Sequence, residues 1–103
     1  SHLLVGTQKA MDETFGSTAH GSGRTMSRTK AKQEFKGKEL QEQMMKKGIY
    51  VRSSSMNGLA EEAGKAYKDI NSVVDILDAY GIARKVVGFN PIGNVKGWNL
   101  INF

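Results

Sequence analysis

Apolar positions come in short bursts along this chain, each closed by glycine or a polar cluster. The run at 2–6, "HLLVG", is apolar and ended by glycine, which predicts a strand. In 7–15, Ala10, Met11 and Phe15 fall near helical spacing, with Thr7 placed as a cap and Gly16 as a stop. The polar stretch "GSTAHGSGR" follows as a loop, and 27–35 predicts a helix with Ala31 and Phe35 on one face. Gly37 interrupts. A second helix is expected over 38–47, with a Leu40–Met44 stripe and Gly48 at its end. The run "IYVRSSS", 49–55, is rich in strand formers and reads as a buried strand. Leu59, Ala63 and Tyr67 predict one helical face over 57–67. A further helix is expected over 71–81, with Asn71 as its cap, a Val73–Ile76–Leu77–Tyr80 stripe and Gly81 as its stop. Residues 83–89 close the pattern as a strand, before the turn-rich "NPIGNVKG". Helices and strands mix without clean alternation, so the expected class is α+β, a mixed sheet with several helices.

Composition narrows this picture. With 103 residues, 39% hydrophobic content and 12 glycines, the chain is one small domain or a piece of a larger one, with a small core. It opens in an apparent strand and closes on the apolar "WNLINF", which favours a piece. The absence of cysteine excludes disulfides and thiolate metal sites and fits a cytoplasmic location. Early acidic residues exclude a signal peptide, and no apolar run approaches membrane-spanning length. The net charge of +5 is uneven. Positions 24–47 are rich in Lys and Arg, whereas 60–80 are mildly acidic. Such a basic block is either a polyanion-facing surface or a solvated helix face.

Few motifs could carry chemistry. His2 and His20 are the only histidines, and neither metalloprotease nor calcium-loop spacing occurs, so no metal site is expected from this chain alone. Gly16 to Gly21 has P-loop spacing, but Ser22 stands where the phosphate-holding lysine belongs. "HGSGR" is more suggestive. Gly21 and Gly23 permit a tight turn with exposed amides, and a helix follows closely. Arg24 and Arg28, four apart, are expected on one helical face, able to grip phosphate. At the mouth of this cradle a neutral His20 imidazole could attack phosphorus; the alternative is a polar loop residue beside a helix-entry turn. Tyr67 is either core packing or a flat platform for a base. Lys96 is either a solvated loop lysine or a point charge reaching a phosphate or a base edge.

The run "GSTAHGSGRTMSRTKAK" resembles the nucleotidyl-histidine segment of the RtcB-type RNA ligases. The similarity continues through "KGIYVRSSSMNGLAEEAGKAYKDI" and "VVDILDAYGIARKV" to "NPIGNVKG". It covers 1–97 and corresponds to the C-terminal part of the family's enzyme, leaving 98–103 as a tail past the usual family end. Ala19 stands where the family usually has cysteine, and Ser22 where alanine is usual.

The resemblance implies a GTP- and manganese-dependent ligase. Such enzymes join RNA 3′-phosphate or 2′,3′-cyclic phosphate ends to 5′-hydroxyl ends through a histidine–GMP intermediate, in tRNA splicing and RNA repair. It implies His20 as the nucleophile. It assigns Ser1, Gly21, Ser22, Gly23, Tyr67 and Lys96 to the guanylate, and Arg24 and Arg28 to nucleotide or RNA phosphate. The manganese ligands of the family lie upstream of this segment. The expected partners are therefore RNA, GTP and the remainder of the ligase polypeptide, with no membrane partner, and the isolated chain is expected to be inactive. The alternative is a non-catalytic, basic nucleotide- or RNA-binding module.

Overall fold

The computed structural model describes residues 1–96. The tail at 98–103 lies outside the described residues. The class is α+β, and the chain divides into two compact units. One comprises Ser1–Thr18 together with the described residues from Val74 onward; the other is Ala19–Val73.

In the first unit the two apolar runs form the expected strands, and β1 (His2–Gly6) pairs antiparallel with β2 (Ala83–Gly88). The register runs from His2 opposite Gly88 to Gly6 opposite Ala83. An irregularity between Leu3 and Leu4 leaves Val86 as the extra residue of a bulge. The expected mixed sheet is thus a two-stranded antiparallel pair among the described residues.

Helix α1 (Gln8–Thr14) starts where Thr7 predicts, the Thr7 hydroxyl accepting from the Ala10 amide. The same hydroxyl donates to the carbonyls of Gly81 at 2.6 Å and Ile82 at 3.1 Å, tying the helix start to the turn before β2. Lys9 donates to the Tyr80 carbonyl at 2.7 Å, near the end of α5 (Ile70–Tyr80), where positive charge suits the helix dipole. Its ammonium also lies 3.7 Å from the Tyr80 ring centre. Asp78 accepts from the Lys85 amide, which holds its carboxyl below the ordinary value of 3.8.

The second unit holds α2 (Arg28–Glu34), α3 (Gly37–Lys46), α4 (Met56–Glu61) and a 3-10 turn at Gly64–Ala66. Helix α4 packs against both α2 and α3. The approach is close because the buried residues are small: Ala31, Ala60, Ala63 and Ala66. Gly37 does not interrupt but opens α3. A Cβ there would lie 2.0 Å from the Met56 carbonyl oxygen, so only glycine fits.

Three expectations change. No strand forms over 49–55. Ile49 and Tyr50 are exposed, Val51 accepts from the Gln41 side chain, and the serines satisfy their own backbone. Ser55 caps α4 through the Gly58 amide. The helix expected over 57–67 ends at Glu61, so Tyr67 leaves the Leu59–Ala63 stripe. The cap of α5 is Asp69 rather than Asn71. Its carboxylate accepts from the Ser72 hydroxyl and from the Asn71 and Ser72 amides, all of which lower its pKa. Within α5, Val74 is buried while Ile76 is exposed, so the buried stripe is rotated from the expected one.

Gly37→Ala should destabilise the chain by about 2 kcal/mol or more, because the backbone of Met56 must move; chemical denaturation checks this. Asp69 and Asp78 have lowered carboxyl pKa values in the fold, so each stabilises above its unfolded value. That contribution disappears as pH falls through the lowered values. Asp69→Ala and Asp78→Ala should therefore lower the melting temperature at pH 7, with the deficit shrinking as pH drops below 3.8.

Candidate functional site

The loop carrying His20 leaves α1 through a rigid turn. Phe15 caps the helix in the left-handed region at φ 56°, and its side chain is 97% exposed. The Thr14 hydroxyl donates within this turn to the Ala10 carbonyl at 2.9 Å and the Ser17 carbonyl at 2.7 Å. His20 then sits exposed, with no hydrogen bond or ion pair from its side chain among the described residues. Gly21 is exposed and Ser22 half-buried, its hydroxyl donating to the Gly23 carbonyl. Gly23 adopts φ +74°, a conformation that favours glycine and turns the chain into the next segment.

That segment is extended. The Thr25 amide donates to the Ala66 carbonyl and the Lys68 amide to the Gly23 carbonyl, each at 2.9 Å. These two bonds flank Arg24 and Tyr67, which face each other as an isolated antiparallel bridge. In such a pair the two side chains project to the same side and lie close. The Arg24 guanidinium indeed lies over the Tyr67 ring, 4.7 Å from its centre. Its Nε donates to the Met26 carbonyl at 3.0 Å and its Nη2 to the Glu61 carbonyl at 2.7 Å. Nη1 is buried and has no acceptor among the described residues. The Tyr67 hydroxyl donates to Glu62 at 2.7 Å.

Arg24 therefore precedes α2 instead of sharing a helical face with Arg28, because the bridge draws 24–26 into an extended strap. Arg28, the first residue of α2, is exposed, with its Nε 3.9 Å from the Glu61 carboxylate. Lys32 reaches the same carboxylate at 3.0 Å. Ser27 caps α2 through the Lys30 amide, so one of its free amides is already satisfied.

Within this second unit, His20, Gly21, Ser22, Gly23, Arg24, Arg28 and Tyr67 belong to one strap-and-helix assembly. Ser1 and Lys96 belong to the other unit. Ser1 is exposed at the edge of β1, where its carbonyl accepts from the Phe89 amide at 2.7 Å. Lys96 is exposed in the irregular stretch after β2. Sequence reasoning missed Glu61 and Glu62, which tie down Arg24, Arg28 and Tyr67. The available signal was an acidic pair four to seven positions before the bridge residues Ala66 to Lys68, in a chain that also carries a basic segment.

The donor sets present discriminate between ligands. Among the described residues, no three His, Cys, Asp or Glu side chains come together to hold a metal ion, so this segment does not fit a metal by itself. The exposed guanidinium of Arg28 fits an anion, whereas the Nε and Nη2 of Arg24 are engaged by carbonyls and its Nη1 is buried. Among the described residues no helix is long and apolar enough to cross a membrane.

Comparison of the sequence with known proteins points to one family. The family model described as tRNA-splicing ligase RtcB matches residues 1–97. The chain is 53% identical over 97 residues to the tRNA-splicing ligase RtcB of Methanococcus maripaludis, covering 94% of this chain and 20% of that protein. It is 50% identical to the proteins of the same name from Archaeoglobus fulgidus and Methanopyrus kandleri, covering 20% and 10% of their lengths. The chain thus spans a fifth or less of these relatives. A family match over residues 1–97, nearly all of the chain, makes this chain a member of the RtcB family.

Proposed function

We propose that this chain is the C-terminal, nucleotidyl-histidine part of a GTP- and manganese-dependent RNA ligase. The parent enzyme joins RNA 3′-phosphate or 2′,3′-cyclic phosphate ends to 5′-hydroxyl ends, as in tRNA splicing and RNA repair, in a cytoplasmic setting. The observation that carries this reading is an exposed His20 directly before a turn whose far end is fastened by the Arg24–Tyr67 bridge. The family match over 1–97 supports it.

In this reading His20 is the nucleophile. A nitrogen of the neutral imidazole forms a bond to the α-phosphorus of GTP as the bond to pyrophosphate breaks. Its side chain is unengaged, so no internal hydrogen bond must be broken before attack. The amides of Gly21, Ser22 and Gly23 face the developing phosphate charge, and Arg28 supplies a guanidinium for nucleotide or RNA phosphate. Tyr67 packs against guanine; the resemblance to the family assigns Ser1 and Lys96 to the guanylate as well. GMP then passes to the RNA 3′-phosphate, and the 5′-hydroxyl displaces it.

Manganese supplies charge neutralisation when bound. Its ligands belong to the remainder of the polypeptide, since the described residues hold no suitable donor cluster. The isolated chain is accordingly inactive. Its exposed lysines, including Lys38, Lys46 and Lys47, leave it able to bind RNA weakly and with strong salt dependence.

With α-labelled GTP and manganese, a full-length polypeptide carrying this segment should take up label, and His20→Ala should abolish it. The 103-residue chain alone should take up none. RNA binding by the His20→Ala protein should stay near the wild-type level. Ligation that survives His20→Ala would reduce the segment to the alternative, a non-catalytic RNA-binding module.

A further inference from the structure

We infer that Arg24 is a positioning residue for the base platform, not a phosphate grip. Its guanidinium fastens the turn that carries His20 to the ring of Tyr67 and holds that ring in place. This rests on the nucleotidyl-histidine reading of the site.

The geometry is specific to arginine. Two guanidinium nitrogens reach carbonyls on two separate segments, Met26 just beyond the bridge and Glu61 at the end of α4. Those two bonds set the orientation of the guanidinium over the Tyr67 ring. The main-chain bonds between Thr25 and Ala66 and between Lys68 and Gly23 put the two side chains opposite each other. At the far end of the ring, the Tyr67 hydroxyl is held by Glu62. The ring is therefore held at a face and at its tip, while the half-buried residue keeps part of its surface open.

A phosphate grip needs an available guanidinium edge. Here Nε and Nη2 are committed to carbonyls, and Nη1 is buried. Arg28, exposed and only 3.9 Å-paired to Glu61, is the better grip. A lysine at position 24 would keep the positive charge but could neither bridge the two carbonyls nor lie flat on the ring.

The test uses the full-length polypeptide carrying this segment, with Arg24→Lys, Arg24→Ala, Tyr67→Ala, Tyr67→Phe and the Arg24→Lys/Tyr67→Ala double variant. KM and kcat for labelling by GTP are measured for each, with melting temperatures alongside. Arg24→Lys and Tyr67→Ala should each raise the KM for GTP about fivefold or more, with a smaller effect on kcat. The double variant should be no worse than the poorer single one. Tyr67→Phe, which keeps the ring but loses the hold of Glu62 on its tip, should raise KM less than Tyr67→Ala does.

Normal KM in Arg24→Lys, with a loss of kcat confined to Arg24→Ala, would overturn the inference in favour of a charge on phosphate. So would single effects that multiply in the double variant. If the wild-type protein takes no label from GTP, the reading of the site fails instead. The pairing is then judged from melting, where shifts of the two single variants that simply add in the double would overturn it.

Discussion

The second unit turns on one short antiparallel contact, in which Gly23 to Thr25 lie against Ala66 to Lys68. It is two main-chain hydrogen bonds wide, too little to persist alone in water. What gives it weight is the pair at its centre. The Arg24 cation on the Tyr67 face, with its two carbonyl bonds, converts a marginal bridge into a junction of three segments. The glycine-rich turn after His20 is thereby fixed at its C-terminal end. At the other end of the loop, the Thr14 hydroxyl and the left-handed cap at Phe15 fix its departure from α1. His20 lies in the sequence between these two fastened ends and is exposed.

The rest of the molecule is lightly built. Among the described residues the buried hydrophobics are mostly alanines, with Val74 and Ile82 the larger ones, and no large side chain is fully buried. Meanwhile Leu3, Val5, Met11, Phe15, Val87 and Phe89 are exposed. Small side chains let helices approach closely, as Gly37 against Met56 illustrates, but they bury little apolar area. The chain spans a fifth or less of the relatives it matches, and it exposes much apolar surface for the small core it buries.

What was legible in the sequence was local. The two strands as elements, the start of α1 at Thr7, the start of α2 at Ser27 and the glycine after α3 all follow from signals within a few residues. What was not legible depended on partners distant in sequence. Residues 49–55 have strand propensity, but a strand needs a ladder, and nearby serine hydroxyls satisfied the backbone first. Tyr67 sits at helical spacing from Ala63, yet α4 ends at Glu61 and the bridge claims Tyr67. Arg24 looked like half of an i,i+4 pair, until the same bridge removed it from the helix. For the candidate site, motif identity named His20 and its glycines, while Glu61, Glu62 and the partnership of Arg24 with Tyr67 required three dimensions.

Hydrogen exchange at two amides tests the junction most directly. In a full-length polypeptide carrying this segment, the amides of Thr25 and Lys68, which donate to Ala66 and Gly23, should be protected well beyond those of the neighbouring loop at 19–22. Arg24→Lys should release both together. Exchange of Thr25 and Lys68 at the rate of an open loop in the wild-type protein, or protection unchanged in Arg24→Lys, would contradict the account.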